Sequence, residues 1–295
     1  MKKVILDCDN TMGIYRSDID DGLTFLYLYG HSDIDLLGIT CTFANNNVNA
    51  VYYNTMQMLE DLNIIEVPFF RGGRNPGDYD SDAVDYLVKM ANKYPKEITV
   101  LAIGSMCNIA GAYSKDSDFF NKLDRVIVMG GITEPFYINE VLCEELNFAS
   151  DYKSAGDVMF NCKKLSILTA QTTFGANYEA AEIDKLLSLD TPLIKYLKPI
   201  IERWTEHIGG VYKIRHFTNW DLCTAIYLTN PELFSTENFK IKKDYEAMKK
   251  GLLVIQNEKD LSDEEVNTVD IPTKLLDLET FNELFYNELK KIKVY

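Results

Sequence analysis

Short apolar runs bounded by turn-forming residues alternate along this chain with longer stretches whose apolar positions recur at helical spacing. The runs Lys3–Asp7, Asp35–Thr42, Val67–Phe70, Ile98–Ile103, Arg125–Met129 and Leu165–Thr169 are mostly continuous rather than alternating, as expected of strands covered on both faces. Between them Gly22–Tyr29, Asn49–Leu62, Ala83–Tyr94, Asn108–Lys115 and Lys153–Asn161 read as helices. This rhythm predicts an α/β fold, an open and mostly parallel Rossmann-like sheet with helices on both faces. The C-terminal third reads as more helical. It offers Pro192–His207 stopped by Gly209-Gly210, Leu222–Tyr227 stopped at Asn230-Pro231, and Glu279–Lys291. No linker, repeat or low-complexity segment divides the chain, so residues 1–295 are expected to form one domain.

In open parallel sheets ligands bind beyond the carboxyl ends of the strands. That rule directs attention to Asp7–Asp21, Asn45–Asn47, Gly72–Asp82, Gly104–Asn108, Gly130–Asn147 and Gln171–Thr173. The first of these holds Asp7, Asp9, Asp18, Asp20 and Asp21. Helix chemistry accounts for one or two of them, since Asp20 and Asp21 precede a helix and gain from its N-terminal dipole. Five converging on one sheet edge would repel one another unless a cation or raised pKa values relieve them.

Charge sharpens this. With 45 Asp and Glu against 30 Lys and Arg, the formal net charge is −15. A chain this acidic has no general attraction for phosphate backbones or anionic lipid, which argues against nucleic-acid and membrane-surface roles. No run approaches the roughly 18 apolar residues of a membrane span. The start, Met1-Lys2-Lys3-Val4-Ile5-Leu6-Asp7, does not read as a signal peptide. The six cysteines include no C-x-x-C pair, so they read as reduced core residues, and a cytoplasmic location is expected.

Two families share the acidic opening. Val4-Ile5-Leu6-Asp7-Cys8-Asp9-Asn10-Thr11 resembles the start of the haloacid-dehalogenase-like phosphatases, which would make Asp7 a nucleophile and magnesium the cofactor. In that family an acidic motif follows a Ser/Thr strand end and a Lys. Here Gly77-Asp78-x-x-x-Asp82 comes before any such candidate, such as Ser105.

The second resemblance covers more of the chain. Asp7-x-Asp9 followed by Asp20-Asp21-Gly22-Leu23 is similar to the D-x-D…D-D-A-L signature of the nucleoside N-ribohydrolases, with a connecting loop about seven residues longer. Gly38 to Asn45 with Asn54, Ile103-Gly104-Ser105-Met106-Cys107-Asn108-Ile109-Ala110, and Val126-Ile127-Val128-Met129-Gly130-Gly131 continue it in order. Asn139 with Glu145-Leu146-Asn147-Phe148, and Trp220-Asp221 ahead of Asn230-Pro231, complete it.

The resemblance implies hydrolysis of the N-glycosidic bond of ribonucleosides to free base and ribose. It implies calcium held by Asp9, Asp21, Asp221 and the Ile103 carbonyl, with Asp9 as general base toward a water on that ion. Asp20, Asn45, Asn139, Glu145 and Asn147 would bind ribose, and Asp7 would support the site floor. Where many relatives have His, this chain has Trp220, as in the purine-preferring branch. Trp cannot protonate a leaving base, but it can stack on one that is gaining positive charge. Tyr79, Tyr137, Tyr212 and Trp204 are candidates for the opposite face. His31, His207 and His216 read as surface or loop residues. The resemblance also implies a homodimer or homotetramer. A relative that binds calcium and nucleoside without turnover is the remaining alternative.

Overall fold

The computed structural model describes residues 1–256 and 266–294. The chain begins with β1 (Lys2–Cys8), α1 (Asp20–Gly30), β2 (Ile34–Cys41), α2 (Val48–Asp61), β3 (Phe69–Arg71), α3 (Asp82–Lys93), β4 (Ile98–Ala102), α4 (Cys107–Lys115) and β5 (Arg125–Met129). A small hairpin, β6 (Tyr137–Ile138) and β7 (Val141–Leu142), leads into α5 (Asn147–Ser150), α6 (Tyr152–Asn161) and β8 (Leu165–Leu168). Then come α7 (Ala170–Thr173), β9 (Asn177–Tyr178), α8 (Ala180–Leu187), α9 (Pro192–Tyr212), β10 (Phe217–Thr218) and α10 (Leu222–Thr229). The last elements are β11 (Phe234–Lys242), α11 (Tyr245–Met248), β12 (Val266–Leu275) and α12 (Leu278–Lys291).

The central sheet has eight strands in the order β11-β12-β8-β5-β4-β1-β2-β3, all parallel except that β11 runs antiparallel to β12. Alternate side chains of each strand feed two cores. Val4, Leu6, Leu101 and Ile127 face one core with α1, α10 and α12. Ile5, Val100, Val126 and Val128 face the other with α3, α4 and α6. Burial on both faces explains why these strands read as unbroken apolar runs.

Strand order fixes where a ligand can sit. From β1 the chain first builds outward through β2 and β3, then returns to β1's other edge with β4. The carboxyl ends of β1 and β4 therefore flank the switch point, where the loops separate and leave a crevice. The acidic loop after β1, Asn45 after β2 and Ile103 after β4 meet there.

Two departures have physical causes. The C-terminal third is less helical than its pattern implies, because β11 and β12, the sheet's longest strands, lie in it. They escape a pattern search because β12 carries Asp270 and Pro272 inside its span. Asp270 is accommodated by the Ser166 and Tyr227 hydroxyls, each donating at 2.6 Å, with Arg125 at 3.8 Å. Helix α9 also runs through Gly209-Gly210 to Tyr212, ending at Lys213 with a left-handed φ of 60°. Two helical glycines cost only about 1 kcal/mol each, which the buried face of Leu193, Ile194, Leu197, Ile201 and Ile208 outweighs.

Candidate active site

Helices α1 and α10 start side by side at the switch point. Neither spends a carboxylate on capping, for the residues at their N-caps, Ile19 and Asp221, make no side-chain cap hydrogen bond. The acids instead interlock. Asp21 Oδ1 accepts the Asp9 amide at 3.1 Å, and Asp20 Oδ2 accepts the Asp221 amide at 3.1 Å. Ligand oxygens of Asp20, Asp21 and Asp221 lie within 4.8 Å of one another. Asp9 Oδ2 accepts the Asn45 amide, which ties the loop after β2 to the same floor.

These are unusual places for carboxylates. Asp9 and Asp21 are 0% exposed, Asp20 is 2% and Asp221 is 4%, whereas unpaired acids are almost never fully buried. Desolvation pushes the Asp9 carboxyl up to about 7, and burial with mutual repulsion drives Asp21 and Asp221 well above the usual range. Asp18, half-buried beside them, is raised by burial and by Asp20. The positive ends of α1 and α10 offset only part of this.

Asp9 Oδ1 and Asp21 Oδ2 are buried without any hydrogen-bond partner. Orphaned, hard oxygen donors on neighbouring carboxylates fit a divalent cation, and the Ile103 carbonyl joins the wall above them. That carbonyl already accepts the Asn147 side-chain amide at 3.1 Å, leaving one lone pair for a further partner. Gly104 is obligatory here, since a Cβ on it would stand 2.7 Å from Asp9 Oδ1.

Asp7 lies deeper. Its Oδ1 accepts the Thr40 hydroxyl at 2.5 Å and the Asn108 amide at 2.8 Å, and burial raises its carboxyl to about 7. It does not line the cavity described next. A nucleophile must reach its substrate, so the phosphatase reading of Asp7 fails on geometry.

Above the floor is a cavity of about 260 Å³. Asp20, Asn45, Ile103, Glu145, Asn147, Trp220 and Asp221 all line it, with Asp9 and Asp21 just beneath. Asn147 donates to the carbonyls of Ile103 and Met129, each at 3.1 Å, and so is held rigidly. Glu145 caps α5 and accepts the amides of Gly131, Phe148 and Ala149 at about 3 Å, which orients its carboxylate at the rim. Asn139 is not brought in. It occupies the exposed β6–β7 turn with φ 45° and donates to the Tyr212 carbonyl at 2.9 Å.

The aromatic wall is built from two elements. Trp220 stacks on Phe174 at 5.9 Å and meets Phe136 edge-on at 6.0 Å. Trp204 and Tyr212 line the cavity from α9. Tyr79 instead bonds Ser154 at 2.9 Å, and Tyr137 is exposed on the hairpin. No histidine lines the cavity: His216 pairs with Glu179 at 3.6 Å, and His207 stands on the far side of α9. Ile132, Ile138, Ile208 and Ile214 also line it and had no sequence signal beyond their apolar character. A Cβ on Gly72 or Gly73 would collide with Asn108 Oδ1 or the Asp78 carbonyl, so close packing requires glycine at both.

A buried acidic floor at the switch point of a doubly wound sheet, roofed by an aromatic-walled cavity, has the form of a site for a ring-bearing ligand above carboxylates that could hold a cation. The chain belongs to the inosine-uridine preferring nucleoside hydrolase family, whose pattern matches residues 4–283. It is 23% identical over 288 residues to a probable uridine nucleosidase 2 of Arabidopsis thaliana, covering 87% of this chain and 86% of that protein. Its fold resembles a solved plant nucleoside hydrolase with a TM-score of 0.85 at 21% identity, covering 98% of each chain. A purine-preferring ribonucleoside hydrolase from Gardnerella vaginalis superposes with a TM-score of 0.83 at 19% identity, again over 98% of each chain. The enzyme is thus a nucleoside hydrolase, acting on small-molecule nucleosides through N-glycosidic hydrolysis. Among the described residues no helix is long and apolar enough to cross a membrane.

Proposed function

We propose that the enzyme hydrolyses purine ribonucleosides in preference to pyrimidine ones, in the presence of calcium. The observation that carries the chemistry is the pair of orphaned oxygens on Asp9 and Asp21 beneath the cavity. Asp9, Asp21, Asp221 and the Ile103 carbonyl would hold the cation. When bound, calcium would neutralise the floor, position ribose hydroxyls and make an attacking water more acidic.

The Asp9 carboxylate would take a proton from an attacking water as the water oxygen bonds to C1′, while the C1′–N bond breaks with its electron pair on the base nitrogen, which takes up a proton from solvent. Asp20 and Asn147, at the cavity's polar end, suit the ribose hydroxyls. Glu145 and Asn45 frame the same end. Asn139 reaches ribose only if the β6–β7 turn releases the Tyr212 carbonyl.

The purine preference rests on Trp220, set firmly on Phe174, with Trp204 and Tyr212 on α9. Without a histidine on the lining, departure of the base relies on stacking, which favours a large ring gaining positive charge. The named relatives span uridine and purine enzymes, so the decisive experiment is a panel of inosine, guanosine, adenosine, cytidine and uridine. Release of base and ribose from the purines, lost with chelator and regained with calcium, is expected. Faster uridine than inosine turnover would sink the purine reading. With the six cysteines read as reduced core residues we also propose a cytoplasmic location, and from the family resemblance a homodimer or homotetramer; light scattering on the purified protein that shows a monomer would refute the assembly.

A further inference from the structure

A second cavity, of about 280 Å³, lies behind the wall of the first. Its sides are the long loop after β1, through Arg16, Ser17 and Ile19, and the outer face of α9, through Arg203, Trp204 and His207. The two cavities share this wall. Along the loop Ser17 and Ile19 line the second cavity while Asp18 and Asp20 line the first, and Trp204 lines both.

The charge here runs against the rest of the molecule. In a chain of net charge −15, Arg16, Arg203 and His207 face one space in which Glu206 is the sole carboxylate among the described residues. Arg203 forms no ion pair or hydrogen bond among the described residues. Among the described residues the Arg16 guanidinium has only the Tyr15 ring beneath it, at 5.0 Å. Arg16 also holds a left-handed φ of 61° in a turn closed by the Ser17 amide on the Ile14 carbonyl at 3.2 Å. Glycine would adopt that backbone without strain, so packing alone gives no reason for arginine.

We propose that this cavity binds a phosphoryl group between Arg16 and Arg203, with His207 beside them. Two unpaired guanidinium forks, one from each side, match the oxygens of a phosphate. Occupancy fixes the loop that carries Asp18 and Asp20, so it is felt at the nucleoside site through the shared wall. The proposal concerns binding and stands apart from which nucleoside is cleaved. The phosphoryl group belongs either to inorganic phosphate or to a small phosphorylated metabolite.

Calorimetry at constant ionic strength tests this with inorganic phosphate, ribose 5-phosphate and ribose. In chelator, where the nucleoside site lacks its cation, one equivalent of either phosphoryl compound is expected to bind, and ribose is not. A tighter fit for ribose 5-phosphate identifies a phosphorylated metabolite, and equal affinities identify phosphate itself. Arg16→Gly and Arg203→Ala should each weaken binding by about tenfold or more, the loss of a charge-assisted bidentate contact. Arg16→Gly removes backbone strain, so an unchanged or higher melting temperature will show that lost binding is not lost folding. In the wild type the phosphoryl ligand should also shift the nucleoside KM, and in Arg203→Ala it should not. No saturable binding, or binding retained by both variants, overturns the site. A KM that ignores the ligand overturns the coupling.

Discussion

The floor and the rim of this active site are built in opposite ways. The floor is four carboxylates at 4% exposure or less, fixed by backbone amides at the ends of β1, α1 and α10. The rim is an exposed two-residue turn, with φ 45° at Asn139 and 65° at Glu140, resting on the end of α9 through one hydrogen bond. The contrast teaches that rigidity is concentrated where charge must be held, while the hairpin turn outside the cavity is free to adapt. It also predicts a steep gradient of mutational effects.

The largest effect belongs to Asp9. Asp9→Asn keeps its shape and its bond from the Asn45 amide but loses the basic oxygen, so turnover of inosine should fall by about 10²–10⁴-fold. Circular dichroism should show the fold intact. Near-normal turnover would dissolve the special status of the floor.

The next effect concerns stability. In the cation-free protein Asp7 and Asp9 titrate near 7 rather than near 3.8. Between those values the folded state holds protons that the unfolded chain has released, so folding is favoured below about pH 4 and loses stability as pH rises through 7, by a few kcal/mol. Melting curves from pH 4 to 8 with chelator should show the decline. Saturating calcium, which binds the folded floor, should raise the melting temperature most at the upper end, and roughly 2.7 kcal/mol is expected at a hundredfold excess over Kd. A flat profile in chelator would mean the carboxylates are not strained.

Smaller changes are expected further up. Trp220→Ala should reduce inosine turnover by roughly tenfold, the worth of one aromatic stack, with a smaller loss on uridine. Equal losses would remove the stacking preference. Asn139→Gly, which preserves the positive φ, should alter KM by about twofold or less, typical of an exposed position. A large KM increase would show that the turn closes over ribose and that the rim shares the floor's work.

Legibility followed the same divide. Asp7, Asp9, Asp20 and Asp21 were readable because they sit within a few positions of a buried apolar strand or helix, so topology alone delivers them to the switch point. Asp221 was readable only through its resemblance to a motif, since nothing local ties it to residues two hundred positions earlier. Trp204 and Tyr212 were two of four aromatic candidates that sequence could not choose among, and Ile208 carried no signal, because the choice depends on how α9 crosses the crevice and on its passage through Gly209-Gly210. The strands β11 and β12 were hidden for a different reason, a polar strand interior accommodated by Arg125, Ser166 and Tyr227. Short-range chemistry is visible in sequence; contacts made by distant side chains are not.

The most direct test is a calcium titration of chelator-treated enzyme, following ribose release from inosine and the melting temperature together. Both should rise over the same calcium range in the wild type, and Asp221→Asn should shift both to higher calcium in parallel. Full hydrolysis in chelator, or activity that rises with no change in melting, would contradict a catalytic floor organised around one cation.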